Sequence, residues 1–180
     1  MNIIHDLEQF VKENSTPVNY VKNTYRMPSS FRYFQGTGES KSSNLNAFDN
    51  ALVAAGIGNV NLIQYSSIMP KDIGFQKGPI NFPSGIEVGY ILAKNNGTQG
   101  HLMSAGIAIA PLDDYFVVYE ATLNGSELDL QTLLINQIEE AIESRQQSVD
   151  EIYLNTDEMI VKSKFGCIVS GLVFDPTTYR

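Results

Sequence analysis

Three strand-like segments follow one another between residues 86 and 122, and this run constrains the fold more than any other feature. The segments cover residues 86–93, 102–110 and 115–122 and are rich in β-branched, aromatic and other apolar side chains. Asn95-Asn96-Gly97 lies between the first two segments, and residues 111–114 lie between the last two. Both connections predict hairpin-type turns, and strands joined by such turns pair antiparallel. The chain is therefore expected to contain a mostly antiparallel sheet.

Two amphipathic segments predict helices against this sheet. The stronger covers residues 130–147, and Asp129 is a suitable first residue. Its 3.6-residue stripe, apolar in the middle, contains Leu130, Leu133, Leu134, Gln137, Ile138, Ala141, Ile142 and Arg145. The second helix is predicted at residues 46–55, with Asn44 or Asn46 as N-cap, Gly56 as the stop, and Phe48, Leu52 and Ala55 on one face.

Further strands are predicted before and after these elements. Residues 30–35 form one, closed by a turn at Gly36-Thr37-Gly38, and two more lie around residues 151–155 and 160–174. Helices layered on mostly antiparallel sheet make an α+β domain. Residues 1–27 are expected to be an N-terminal extension with a short helix after Asp6 and then a linker, and residues 28–180 to be the folded domain.

Composition excludes several classes of partner. With 43% hydrophobic residues, the 180-residue chain can build one real core. Its net charge of −8 argues against binding to nucleic acid or to an anionic membrane, because phosphate binding needs a basic patch. The chain has no apolar run of transmembrane length, no signal-peptide pattern and a single cysteine, Cys167. These features predict a cytoplasmic protein.

A pair of serines lies within an apolar stretch at residues 59–70. Ser66 and Ser67 are flanked by Tyr65 and Ile68, so we expect one strand that holds both hydroxyls near its end. Pro70 cannot donate to a sheet ladder, and the strand should end there.

Several segments together resemble one family. They are Leu45–Asp49, Ala54–Asn59, Asn61-Leu62 with Tyr65–Pro70, Ser104–Ala108, Val118–Glu120 and Lys164–Cys167. In this order, and with the spacing from Asp49 through Ser67 to Glu120, the chain resembles the pyruvoyl-dependent arginine decarboxylases.

The resemblance implies a self-processing enzyme. Such a chain cuts its backbone between Ser66 and Ser67, and Ser67 becomes a pyruvoyl group that serves as the cofactor. The reaction would convert arginine to agmatine and CO2, a step of polyamine biosynthesis. The family fold would be an α-β-β-α sandwich, assembled as a homotrimer with its sites between protomers. An alternative of another class is an unprocessed, non-catalytic relative that acts as an oligomeric binding or structural protein.

The same resemblance assigns roles to three further residues, each of which has a simpler interpretation. Asn61 would stabilise the oxyanion during cleavage, or cap a turn at a strand start. Glu120 would be the catalytic acid, with a pKa raised by burial in an apolar strand, or a strand-end carboxylate facing water. Asp49 would bind the guanidinium of the substrate, or complement a helix dipole.

No metal site is expected. His5 and His101 are isolated from each other and from acidic clusters, and neither lies near Cys167 in sequence. Cys167 is therefore interpreted as a buried thiol rather than a nucleophile.

Overall fold

The structure, a computed structural model, describes residues 3–6 and 27–176. The short helix and the linker expected between Asp6 and residue 27 lie outside the described residues. Within the described ranges the elements are β1 Ile3–Asp6, β2 Ser30–Ser40, α1 Asn44–Ala54, β3 Asn61–Gln64, β4 Ile68–Pro70, β5 Gly74–Phe75, β6 Glu87–Thr98, β7 Leu102–Pro111, β8 Tyr115–Leu123, α2 Glu127–Ser144, β9 Glu151–Ile160 and β10 Phe165–Phe174.

The strands form two five-stranded sheets. The first sheet has the order β1-β9-β7-β8-β4, and the second has the order β3-β6-β10-β2-β5. Pairing is antiparallel except at β1 with β9, β2 with β5, and β3 with β6. Helix α2 packs on the first sheet and α1 on the second, while the sheets face each other. The expected α+β class and the α-β-β-α sandwich are confirmed.

The two largest of the fully buried side chains, Phe31 and Phe174, lie between the two sheets. This cluster takes Met69, Ile107 and Val118 from the first sheet, and Phe31 and Phe174 from the second. Separate apolar clusters fill the space between each helix and the sheet it covers. Because both sheets are covered on both faces, their central strands are apolar on both faces, as β10 illustrates.

The turn predicted at Gly36-Thr37-Gly38 is wrong, because β2 continues through it to Ser40. The two glycines serve close packing instead. A Cβ on Gly36 would lie 2.3 Å from the carbonyl oxygen of Ala51, and one on Gly38 would lie 2.2 Å from that of Ala47. The backbone of α1 therefore rests directly on the strand, where only glycine fits.

The turn predicted at Asn95-Asn96-Gly97 is also wrong. Strand β6 runs on to Thr98, and its last residues pair with β10, where Gly97 lies opposite Gly166. The chain reverses after Thr98 instead, with Gly100 at a φ of 87°. The final two strands also differ from expectation, because β9 extends to Ile160 and β10 begins only at Phe165.

Serines begin both helices. Ser43 caps α1 and accepts a hydrogen bond from the amide of Asn46, so the helix starts before the predicted position. Ala47 and Ala51 are its fully buried residues, whereas Phe48, Leu52 and Ala55 on the predicted face are only partly buried. Ser126 caps α2 and exchanges hydrogen bonds with Asp129, which is the third residue of the helix rather than its start.

No helix in the described ranges is long and apolar enough to cross a membrane.

The contact between α1 and β2 generates a stability prediction. Gly38→Ala should lower the free energy of unfolding by about 1–3 kcal/mol or more, because the new methyl group meets helix backbone that cannot move aside. Gly125→Ala is the control, since its Cβ would meet side chains rather than backbone, Leu123 at 3.2 Å and Asp129 Oδ2 at 3.9 Å. Chemical denaturation of both variants measures the difference, and equal stability would contradict the packing argument.

Candidate active site

The serine pair lies where the chain crosses from one sheet to the other. The single strand expected at residues 59–70 is wrong, because β3 pairs with β6 in the second sheet and β4 pairs with β8 in the first. Both sides of the crossing are anchored. The amide of Tyr65 donates to the carbonyl of Tyr90 at 2.8 Å, and its ring stacks on Phe174 with 5.1 Å between centroids. On the other side Met69 is fully buried, and β4 ends at Pro70 as predicted.

Ser67 has a strained backbone. Its φ is 44°, in the left-handed region that non-glycine residues rarely adopt. Its carbonyl oxygen accepts a hydrogen bond of 2.8 Å from the amide of Val118, which ties this conformation to β8. Ser66 is exposed and Ser67 is half-buried. The Ser67 side of the peptide bond between them is therefore held in place, while the Ser66 side is exposed.

The hydroxyl of Ser67 donates a hydrogen bond to Glu120 Oε2, with 2.9 Å between the oxygens. Strand β8 carries Glu120 two residues beyond Val118, whose side chain lies in the core between the sheets. Because alternate residues of a strand share a face, Glu120 continues that buried row at the sheet edge. The carboxylate and the hydroxyl come from positions 53 residues apart in the sequence.

Burial raises the pKa of Glu120 above its ordinary value. The hydrogen bonds from the Ser67 hydroxyl and from its own backbone amide stabilise the ionised form and oppose this effect, but burial is the larger cause. The carboxyl group therefore holds its proton to higher pH than an exposed glutamate. A carboxylic acid of that kind can donate a proton nearer neutral pH.

A cavity of about 420 Å³ surrounds this pair. It opens at the edge of the first sheet, because β4 pairs with only three residues of β8 and the last contact along this edge is that of the Val118 amide with Ser67. The lining residues are Ser66, Ser67, Ile68, Val117, Val118, Tyr119, Glu120, Gln137 and Arg145. Its volume is sufficient for a small-molecule site.

Gln137 and Arg145 belong to the predicted helix stripe, and no role in a site was expected for them. Gln137 lines the cavity from α2, and Arg145 does so from the C-cap directly after it. The available signal was their polarity, since two long polar side chains interrupt the face that packs on the sheet. Such residues need a polar environment, and a cavity at the sheet edge provides one.

Asn61 and Asp49 do not line this cavity. Asn61 is exposed at the start of β3, and its side-chain amide donates to the carbonyl of Gly85 at 2.8 Å. Asp49 is exposed on α1, which covers the outer face of the second sheet. A single chain therefore brings Ser66, Ser67 and Glu120 together and leaves the other two candidates elsewhere.

Burial raises the pKa of the Cys167 thiol to about 11, so this cysteine stays protonated and is a poor nucleophile. Among residues 3–6 and 27–176, no group of three or more His, Cys, Asp or Glu side chains is placed to hold a metal ion.

Comparison with known proteins places the chain in a family. The family model for pyruvoyl-dependent arginine decarboxylase matches residues 30–178. The protein of that name from Methanothermobacter thermautotrophicus is 33% identical over 131 residues, covering 72% of this chain and 86% of the relative. Its namesake from Methanococcus vannielii is 33% identical over 150 residues, covering 79% of this chain and 88% of the relative. On these matches, the chain belongs to the pyruvoyl-dependent arginine decarboxylase family.

Proposed function

We propose that this protein cleaves itself between Ser66 and Ser67 and then decarboxylates L-arginine to agmatine. The observation that supports this most directly is the hydrogen bond between Ser67 and Glu120, which joins the residue to be converted and a carboxyl group of raised pKa in one cavity.

The residues around Ser67 fit a pyruvoyl group derived from it. The Ser67 carbonyl is fixed by Val118, Ser67 lines the cavity, and Ser66 before it is exposed. When present, that group supplies the electron-withdrawing carbonyl that decarboxylation of an amino acid requires.

Cleavage uses groups that the chain itself supplies. Ser67 Oγ attacks the carbonyl carbon of Ser66, the C–N bond breaks, and an ester forms with a free amine on Ser67. Loss of the Ser67 Cα proton then breaks the Cβ–Oγ bond, and Ser66 leaves as a carboxylate that keeps that oxygen. The dehydroalanine that remains is an enamine, which becomes an imine when Cβ gains a proton and the nitrogen loses one. One water molecule hydrolyses this imine and releases ammonia. The strained φ of Ser67 favours a reaction that frees its backbone.

Glu120 takes a separate part in turnover. After CO2 has left, Cα of the substrate needs a proton, and Glu120 is the acid next to Ser67. Its raised pKa keeps a protonated fraction available at higher pH than an ordinary glutamate would.

The remaining candidates are proposed to act across a protomer boundary in a homotrimer. Asp49 lies between Leu45 and Val53 on one face of α1, at i, i+4 and i+8, and these two apolar side chains are 73% and 59% exposed. An exposed stripe of this kind is typical of an interface. Asp49 of one protomer would then bind the guanidinium of a substrate held beside Ser67 and Glu120 of the next, and Asn61 would approach the same boundary.

Glu120→Gln should give a cleaved protein that decarboxylates poorly. The amide oxygen still accepts the hydroxyl of Ser67, so cleavage proceeds, but the side chain has no acidic proton to deliver. Agmatine formation by the purified, cleaved variant should fall by about 10²–10⁴-fold. The wild-type activity that needs protonated Glu120 is present below the pKa of Glu120 and is lost as the pH rises through that pKa. The pH profile of the variant should lack this fall in activity.

The control for this variant is Glu139→Gln, an exposed carboxylate on α2. Turnover by Glu120→Gln as fast as that of the control would assign proton delivery to another group.

Asn61→Ala should slow cleavage by about 10²-fold, if this amide supplies an oxyanion donor in the assembled protein. Were the contact with the Gly85 carbonyl its only role, the variant would lose about 1 kcal/mol of stability and cleave at the normal rate. The rate of precursor disappearance, measured beside the exposed neighbour Asn59→Ala, separates the two roles.

A further inference from the structure

Cleavage at the serine pair creates a charge that the precursor lacks. This argument rests on the proposed function, in which Ser66 becomes the carboxylate end of the first chain. The residue before Ser66 stays fixed after cleavage, because Tyr65 remains hydrogen-bonded to Tyr90 and stacked on Phe174. The new carboxylate therefore remains at the cavity that Ser66 already lines.

A second negative group in this cavity needs compensation. Glu120 is already half-buried there, and the ionised form of a carboxyl group is disfavoured by burial and by a like charge nearby. An uncompensated Ser66 carboxylate would move out toward solvent and draw its segment away from the site.

Arg145 is placed to compensate it. Among the described residues that line the cavity, it alone carries positive charge. Its Nη1 donates to the Ala141 carbonyl at 2.8 Å and to Ser144 Oγ at 3.4 Å. Within the described part of the chain it makes no ion pair. Burial raises the pKa of Glu120 and two hydrogen bonds oppose that effect, and Arg145 is not among the groups that shift it. Its remaining N–H groups are available for a carboxylate.

Gln137 lies two turns earlier on the same face of α2. Its Oε1 is buried and has no hydrogen-bond partner among the described residues. Rotation of the amide places Nε2 in that position, where a donor calls for an acceptor oxygen. Gln137 and Arg145 both line the cavity, so a group bound in it can contact both side chains.

We propose that Arg145 and Gln137 bind the carboxylate that cleavage creates on Ser66. The interaction forms only after processing, holds the end of the first chain in the wall of the cavity, and neutralises its charge beside Glu120. Arg145 is thereby a positioning residue for the processed enzyme, in addition to its contacts at the end of α2.

The test compares Arg145→Gln in two backgrounds, with intact masses recorded first. In the cleaved protein the variant should lower the melting temperature by about 4 °C more than in the uncleavable Ser67→Ala protein, which has no Ser66 carboxylate. Carboxypeptidase Y should release Ser66 about tenfold faster from the cleaved variant than from the cleaved wild type. Arg145→Lys should restore much of the melting temperature and much of the resistance to carboxypeptidase Y. Lys162→Gln, which removes an exposed charge elsewhere, should change neither the melting temperature nor the release of Ser66.

Each other outcome overturns a defined claim. If Arg145→Gln lowers the melting temperature equally in the two backgrounds and leaves the release of Ser66 unchanged, Arg145 only stabilises the end of α2. The proposed function would then remain intact. A wild-type protein that is not cut between Ser66 and Ser67 would overturn both.

Discussion

The crossing of the chain between the two sheets at Ser66-Ser67 is the constraint on which the rest of the site depends. Tyr65 is fixed to the second sheet and Met69 is buried in the first, so the three residues between them must span the distance from one sheet to the other. Ser67 accepts a positive φ as a result, and Val118 secures it. The strain is local, of order 1–3 kcal/mol, and the large core between the sheets sustains it.

The same crossing sets the electrostatics. Because β4 is short, β8 has an open edge at which Glu120 is half-buried rather than solvated, and its carboxyl group meets the Ser67 hydroxyl. One cavity can therefore support two chemistries that use different properties of these groups. Cleavage requires a positioned nucleophile and occurs once, whereas turnover requires an acid whose pKa has been raised by burial. Cleavage leaves a carboxylate on Ser66 that is present throughout turnover, and Gln137 and Arg145 are proposed to bind it.

Local patterns in the sequence predict the elements but not the contacts between them. Period-3.6 apolarity located α2, and turn residues located the hairpin between β7 and β8, because both signals are local. Gly36 and Gly38 were misinterpreted as a turn, since nothing in the neighbouring residues indicates that a helix backbone will rest on them. The division of residues 59–70 between two sheets was missed for the same reason, as β pairing partners are distant in sequence. The resemblance singled out Ser67 and Glu120, which the fold brings together, whereas Gln137 and Arg145 became site residues only through the position of α2.

Denaturing intact-mass analysis of the purified wild-type protein and of Ser67→Ala tests the central claim most directly. The account predicts two wild-type chains, residues 1–66 ending in an ordinary carboxylate and residues 67–180 lighter by one ammonia than plain hydrolysis would leave. It predicts one uncut chain for Ser67→Ala, which lacks the nucleophile. A single full-length wild-type species would contradict the account and favour an unprocessed, non-catalytic member of the family, and a cut in Ser67→Ala would show that another group cleaves the chain.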